Sequence, residues 1–359
     1  MDPPDPTFTM TYRDALSFVL ENFVLVLLDP SSILSLPWVP RKLGRIARVS
    51  NEFRRYMTHM LEKEKQMISQ RAPGRGNLMS HLVRASEEEQ SAVRDGEEAE
   101  DHMQASQGLS DSEIIGNIFL YTFAGHETTA NMLSYSISLL AAHPEVQEWV
   151  AEEVHYVLQG QGTSETWEYS LFPRLKRCLT VMLETLRLYP SVGSIPKYTN
   201  DRAQSLNING EVHIIPPKTL VFLNSFAMHK MPRYWGSDSL VWRPSRWILP
   251  SCPGTVSNGA SLSSGIIFDK ETLLEPKKGT FMPWSDGPRV CPGKKFAQVE
   301  FVAVLSTLLR NHRVRPVARD GEKEEDAQQR ILDVVADSGI HFTLQMRHPT
   351  RVTVSWVSV

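Results

Sequence analysis

The chain has 359 residues and a formal net charge of −3, with 38 basic residues against 41 acidic ones. That length supplies enough apolar surface for a sizeable core in one large domain or two. The near balance of charge excludes the broad basic field of a nucleic-acid binder and the acidic excess of a disordered chain. Three cysteines, Cys178, Cys252 and Cys291, are odd in number and far apart, a poor disulfide framework that fits a reducing compartment.

The opening MDPPDPTFTMTYRDALSFVLENF lacks the basic stretch and small-residue cleavage site of a signal peptide. The apolar run ALSFVLENFVLVLL is broken by Glu21 and Asn22 and is shorter than the roughly 20 residues of a bilayer span, so no transmembrane segment is expected. Residues 11 to 70 read as helical material in two pieces, parted by a loop with prolines at 30, 37 and 40. The second piece, from about Leu43 to Ser69, is amphipathic. Residues 86 to 109 begin SEEEQSAVRDGEEAED, an acidic composition that reads as a solvated linker. Ser110 and Glu113 have the spacing of a capping box. From there to Ala142 no proline intervenes, and glycine occurs only at 116 and 125, which predicts a long central helix of about thirty residues. Pro144 opens a helix to about Leu158, and Pro173 opens another that ends at Tyr189, before Pro190.

The texture then changes. LNINGEVHIIPPKTLVFLN alternates and is rich in β-branched residues, with Asn209-Gly210 as a hairpin turn. A helix is expected from about Lys295 to Leu309, and HFTLQMRHPTRVTVSWVSV reads as two strands around a His348-Pro349 turn. The fold class is mainly α with a minor antiparallel β part, in one domain over residues 1–359.

The chemistry concentrates in PWSDGPRVCPGKKFAQVE, residues 283 to 300. Gly287 and Gly293 allow this loop to wrap tightly against something flat. The helix that follows favours a thiolate at Cys291, and Arg289 offers a fixed cation for an acidic group. A buried inert cysteine is the plain alternative for a lone thiol. Three further motifs in a fixed order outweigh it. AGHETT, from Ala124 to Thr129, lies in the long helix, where Leu120, Ala124 and Thr128 share one face. Glu184 and Arg187 form an E-x-x-R at helical spacing, and WRPSRW supplies Arg246.

The loop W-S-D-G-P-R-V-C-P-G resembles the haem-binding loop of the cytochrome P-450 superfamily, the haem-thiolate monooxygenases, whose pattern is F-x-x-G-x-R-x-C-x-G. Trp284 stands at the phenylalanine position, a change common in fungal-type members. The resemblance implies the cytochrome P-450 fold, with a long helix over haem b and Cys291 as the thiolate ligand of its iron. It implies that Trp284, Gly287, Arg289, Gly293 and Ala124 surround the cofactor, and that Thr128 and Glu127 deliver protons to dioxygen. Glu184, Arg187 and Arg246 become a structural network on the thiolate side. Lys197 and His229 fall near haem propionates or the supporting sheet, although each also reads as an ordinary surface or structural residue. Asn117, Tyr121, Val192 to Ile195 and Ser338 to Ile340 fall where substrate is lined, and their small and apolar types suit a lipophilic small molecule. Lys277, Lys278, Lys294 and Lys295 flank the loop and could dock an acidic reductase. Cys178 and Cys252 are bystanders.

Gly160 and Gly162 lack the third glycine and preceding strand of a dinucleotide fingerprint, so electrons are expected from a separate NADPH-dependent reductase. The implied reaction inserts one atom of O2 into a lipophilic molecule, in specialised-metabolite biosynthesis. The implied location is the cytosolic side of the endoplasmic reticulum membrane. Membrane-bound relatives carry an anchor, a sheet and a propionate-binding helix ahead of the matching region, and none of these is read here, which leaves a cytoplasmic location open. Two alternatives stand beside this reading: a truncated, non-catalytic haem-binding remnant, and a reductase-independent haem-thiolate isomerase. Thr128 speaks against the second, because rearranging a peroxide has less need of a proton relay.

Overall fold

The computed structural model describes residues 6–27, 40–70, 76–94, 108–159, 167–249 and 268–359. They fall into two compact units, one ending at Ala124 and the other beginning at Gly125. The first unit holds α1 (Tyr12–Glu21), α2 (Phe23–Leu27), α3 (Arg41–Ser69), α4 (Leu78–Arg94) and the first part of α5 (Asp111–Ala142). Thr11 caps α1 by accepting from the Asp14 N–H at 3.1 Å. The capping box forms at α5: Ser110 N donates to Glu113 Oε2 at 2.8 Å, and Glu113 N donates to Ser110 Oγ at 3.3 Å.

In α3 the buried Val49, Phe53, Met57 and Leu61 recur every four residues and meet Ala15, Val19, Met79, Val83 and Ile114 in one core. Residues 86 to 94, expected as linker, are helical. Met79, Val83 and Ser86 carry a buried stripe along α4, and Ser86 Oγ donates to Leu109 O at 2.7 Å. Acidic composition is equally compatible with a helix whose outer face is solvated, and the buried stripe decides between them. Residues 95–107 of the expected linker lie outside the described residues, as do Gly160, Gly162 and Cys252.

The second unit contains the rest of α5, then α6 (Pro144–Leu158), α7 (Lys176–Leu188), β1 (Ser194–Tyr198), β2 (Gln204–Ile208), β3 (Glu211–Ile215) and β4 (Leu220–Asn224). Next come α8 (Ser225–Lys230), α9 (Pro232–Trp235), β5 (Ile248–Leu249), β6 (Thr272–Leu273), α10 (Lys294–Asn311) and β7 (His312–Pro316). The chain closes with α11 (Glu324–Ala336), β8 (Ser338–Ile340), β9 (Leu344–Met346) and β10 (Val354–Ser358). Pro144 sits in the first turn of α6 as expected. Pro173 does not open α7: it lies inside a 3-10 turn, Tyr169–Arg174, and Leu175 with φ −91° and ψ 60° breaks the chain before Lys176.

Burial is most complete in α7, where every residue from Arg177 to Leu188 is inside. Met132, Tyr135 and Leu139 of α5, Val150 and Val154 of α6, and Phe301, Val302, Leu305 and Leu309 of α10 join it in one core. The described strands form five antiparallel pairs, β1 with β4, β2 with β3, β5 with β6, β7 with β10 and β8 with β9. Asn209 (φ 53°) and Gly210 (φ 93°) make the predicted two-residue turn. The two C-terminal strands also exist, but the chain between them carries each to an earlier partner, so they do not pair with one another.

Candidate active site

The cysteine loop is built by backbone geometry. Ser285 (φ 64°) and Gly287 (φ 80°) turn the chain through left-handed conformations, which glycine adopts without steric cost. Asp286 accepts from the Gly287 N–H, and Cys291 N donates to Trp284 O at 2.9 Å, which closes the loop on itself. Cys291 is a free, exposed thiol. Gly293 is the N-cap of α10 and has ordinary helical angles. A Cβ there would stand 3.8 Å from Cys291 Sγ with nothing else of the protein near it, so Gly287 is the glycine that the turn itself demands. Arg289, Val290 and Phe296, on either side of Cys291 in the sequence, are exposed, while Trp284 is half-buried.

Behind the loop lies the ionic network. Glu184 and Arg187 are fully buried, and one carboxylate collects five hydrogen bonds. Glu184 Oε1 accepts from Arg187 Nη2 at 2.9 Å, Arg246 Nε at 2.8 Å and Arg243 N at 2.9 Å. Oε2 accepts from Arg187 Nε at 2.8 Å and Trp247 Nε1 at 2.9 Å. Both arginines expected in the network therefore bond the same Glu184 carboxylate. Arg187 also donates to His229 O at 2.8 Å, Ser239 O at 2.6 Å and Val241 O at 3.3 Å.

Two links run from this network to the loop. Trp247 packs on Phe281 with ring centroids 4.7 Å apart, and Phe281 meets Trp284 edge-on at 6.4 Å. Beside them, Met282 N donates to His229 Nε2 at 2.9 Å. Burial, with the charges of Arg187 and Lys230 acting the same way, pushes the His229 imidazole down to about 4, so it stays neutral and available as an acceptor. His229 is thus an internal brace, not a surface residue. FAMHK gives no sign of this in the sequence, because the acceptor it provides is used 53 residues later.

In α5, Ala124 is exposed and Glu127 and Thr128 are partly so. Glu127 Oε1 accepts from Thr343 Oγ1 at 2.7 Å. Asn117 bonds back to Glu113 O at 2.8 Å, and Tyr121 is exposed. Lys197 in β1 faces solvent and pairs across the sheet with Val221. Ile195 and Gly339 are buried, whereas Val192 and Ile340 are exposed. Lys295 lies over the Phe172 ring at 3.9 Å and Lys294 over Trp284 at 5.5 Å, so two of the four flanking lysines also serve as aromatic caps. Cys178 is fully buried, and burial raises its thiol well above the usual range, as befits a bystander.

A second buried network has no counterpart among the expected residues. Glu153 accepts from Arg177 N at 2.9 Å through both oxygens and from Cys178 N at 3.2 Å. The Arg177 guanidinium pairs with Glu271 at 2.6 Å and lies 4.7 Å from the Trp149 ring.

The family model described as cytochrome P-450 matches residues 2–339. A phomenoic acid biosynthesis cluster cytochrome P-450 monooxygenase of Leptosphaeria maculans is 32% identical over 351 residues, covering 91% of this chain and 55% of the relative. A cytochrome P-450 monooxygenase of Arthrobotrys oligospora is 32% identical over 355 residues, covering 96% and 59%, and one of Penicillium rubens is 31% identical over 343 residues, covering 92% and 55%. The chain therefore spans between 55% and 59% of the length of these relatives. With the match running over nearly the whole sequence, the chain belongs to the cytochrome P-450 family.

Proposed function

We propose that the chain is the haem-carrying part of a monooxygenase that converts a lipophilic small molecule RH, O2, two electrons and two protons into ROH and water. The observation that carries this reading is the exposed Cys291 thiol on a glycine loop tied back to a buried ionic network. A single soft sulfur donor fits haem-thiolate ligation, and Val290 and Phe296, exposed apolar residues of the same stretch of chain, suit apolar contact with a flat ring. When bound through Cys291, haem b supplies the binding and cleavage of dioxygen.

The remaining roles belong to side chains of this chain. Arg289 would offer its cation to an acidic group of the cofactor, Trp284 and Gly287 would shape the loop that holds it, and Gly293 would leave room next to the sulfur. Ala124 keeps the helix face small. Thr128 and Glu127 move protons toward oxygen, Thr128 through its hydroxyl and Glu127 as the adjacent acid. Glu184, Arg187 and Arg246 hold the loop and take no part in proton transfer.

Electrons come from a separate NADPH-dependent reductase docking near Lys277, Lys278, Lys294 and Lys295. The name of the Leptosphaeria maculans relative supports a place in specialised-metabolite biosynthesis. No helix among the described residues is long and apolar enough to cross a membrane; the cytosolic face of the endoplasmic reticulum is the location that the family likeness favours.

The test is an absorption spectrum. Expressed with a haem precursor and reduced with dithionite under carbon monoxide, the chain is expected to give the strongly red-shifted Soret band of thiolate ligation. Cys291→Ser should lose that shift while the far-UV circular dichroism stays unchanged. A variant that keeps the shifted band removes Cys291 as the ligand.

A further inference from the structure

Glu127, Asn131 and Tyr135 lie four residues apart on α5 and so share one face. Each is met by a hydroxyl from the β8–β9 hairpin. Thr343 Oγ1 donates to Glu127 Oε1 at 2.7 Å and accepts from Asn131 Nδ2 at 3.1 Å, while Tyr135 Oη and Ser338 Oγ lie 2.7 Å apart. Thr343 is 1% exposed. Its segment is pinned by backbone bonds: His341 N donates to Thr343 O at 3.2 Å, and Leu344 N donates to Ser191 O at 3.0 Å.

Counting donors gives the contact a direction. An ionised carboxylate only accepts, and a hydroxyl has a single proton to give. Since that proton goes to Glu127 Oε1, Asn131 must turn its amide N–H toward Thr343. The sequence of donors therefore runs from Asn131 to Thr343 to Glu127. One carboxylate oxygen is held in place, and Glu127 Oε2 has no partner among the described residues.

We propose that Thr343 is a positioning residue for proton delivery: it fixes the Glu127 carboxylate through Oε1, with Asn131 orienting the hydroxyl, so that Oε2 is the oxygen that exchanges protons. The inference rests on the role of Glu127 proposed above. A rigidly held acid keeps its free oxygen aligned with the proton it passes on, and small misplacements of such groups cost rate steeply. The hairpin is thereby coupled to the helix at the residue where chemistry is expected, although Thr343 is 216 positions away from Glu127.

Two measurements on the full chain test it. The first needs no turnover: a double-mutant cycle of thermal midpoints with Thr343→Val and Glu127→Ala. The expected result is non-additivity, with the double variant melting close to the less stable single variant; additive shifts would overturn the contact. The second, with haem and reductase, reads the fraction of consumed electrons that appears in product. Thr343→Val should lose about tenfold or more of that fraction with KM little changed, and Thr343→Ser should restore it. If Glu127→Ala uncouples the reaction and Thr343→Val does not, the positioning role falls and the reading of Glu127 stands. If Glu127→Ala leaves coupling intact, both fall together.

Discussion

A fully buried arginine is tolerable only when each of its donors is met, and Arg187 meets all five of its guanidinium N–H groups with two carboxylate contacts and three backbone carbonyls. One of those carbonyls belongs to His229, whose ring then accepts from Met282 N. A protonated imidazole would present a donor to that N–H, so His229 must stay neutral for the loop to keep its brace. The folded-state value of about 4 lies below the ordinary 6.5, so the folded state binds fewer protons than the unfolded chain. The stability this contributes is full above pH 6.5 and is lost as pH falls toward 4. His229→Gln is expected to flatten that acid limb in urea midpoints measured across the range. An unchanged slope would assign the titration to another group.

At the scale of elements, α7 is capped from outside itself. Its N-cap residue Leu175 makes no side-chain cap, and Glu153 of α6 takes the first N–H groups instead. Burial, only partly offset by those backbone hydrogen bonds, pushes the Glu153 carboxyl up from 4.5 to about 7. The folded state thus holds the proton more tightly than the unfolded chain. Stability from this group is greatest below pH 4.5 and declines as pH rises to 7. Glu153→Gln should remove that decline, which differential scanning calorimetry at a series of pH values would detect; parallel curves for variant and wild type would rule Glu153 out. Between pH 4.5 and 6.5 the two effects oppose each other, so each is seen best in a variant lacking the other.

Capping explains what could be read in advance. Ser110 with Glu113 and the Asn209-Gly210 turn are written in neighbouring residues, and both formed. Glu153 is 24 positions from the N–H it caps, and nothing local marks it as a cap. The E-x-x-R pair was legible from helical spacing, whereas its burial and the donors from Trp247 and Arg243 depend on chain that returns about sixty residues later. Residues 86 to 94 misled because charge composition describes a helix's outer face as readily as a coil.

On the scale of the whole molecule, each unit has its own apolar core, yet the small sheets leave apolar faces outside. In the β1–β4 pair, Tyr198 stands opposite Leu220 and Pro196 opposite Phe222, and Tyr198, Leu220 and Phe222 are 55%, 54% and 60% exposed. Leu206, Ile208, Val212 and Ile214 of the β2–β3 hairpin are exposed as well. Contiguous apolar surface with open strand edges favours association. Sedimentation velocity should find self-association that rises with concentration and weakens in the double variant Leu220→Lys, Phe222→Lys; equal association in both would acquit this face.

The contrast between the two described cysteines has a practical side. Cys291 is exposed on its loop, while Cys178 is sealed in the core with its thiol held protonated by burial. An alkylating reagent attacks accessible thiolate, so in the folded chain it will mark Cys291 and spare Cys178. Coordination of the Cys291 sulfur would shield it from the reagent. The mass of one tryptic peptide would then record what fraction of molecules has its loop engaged, with no need for colour, reductase or substrate.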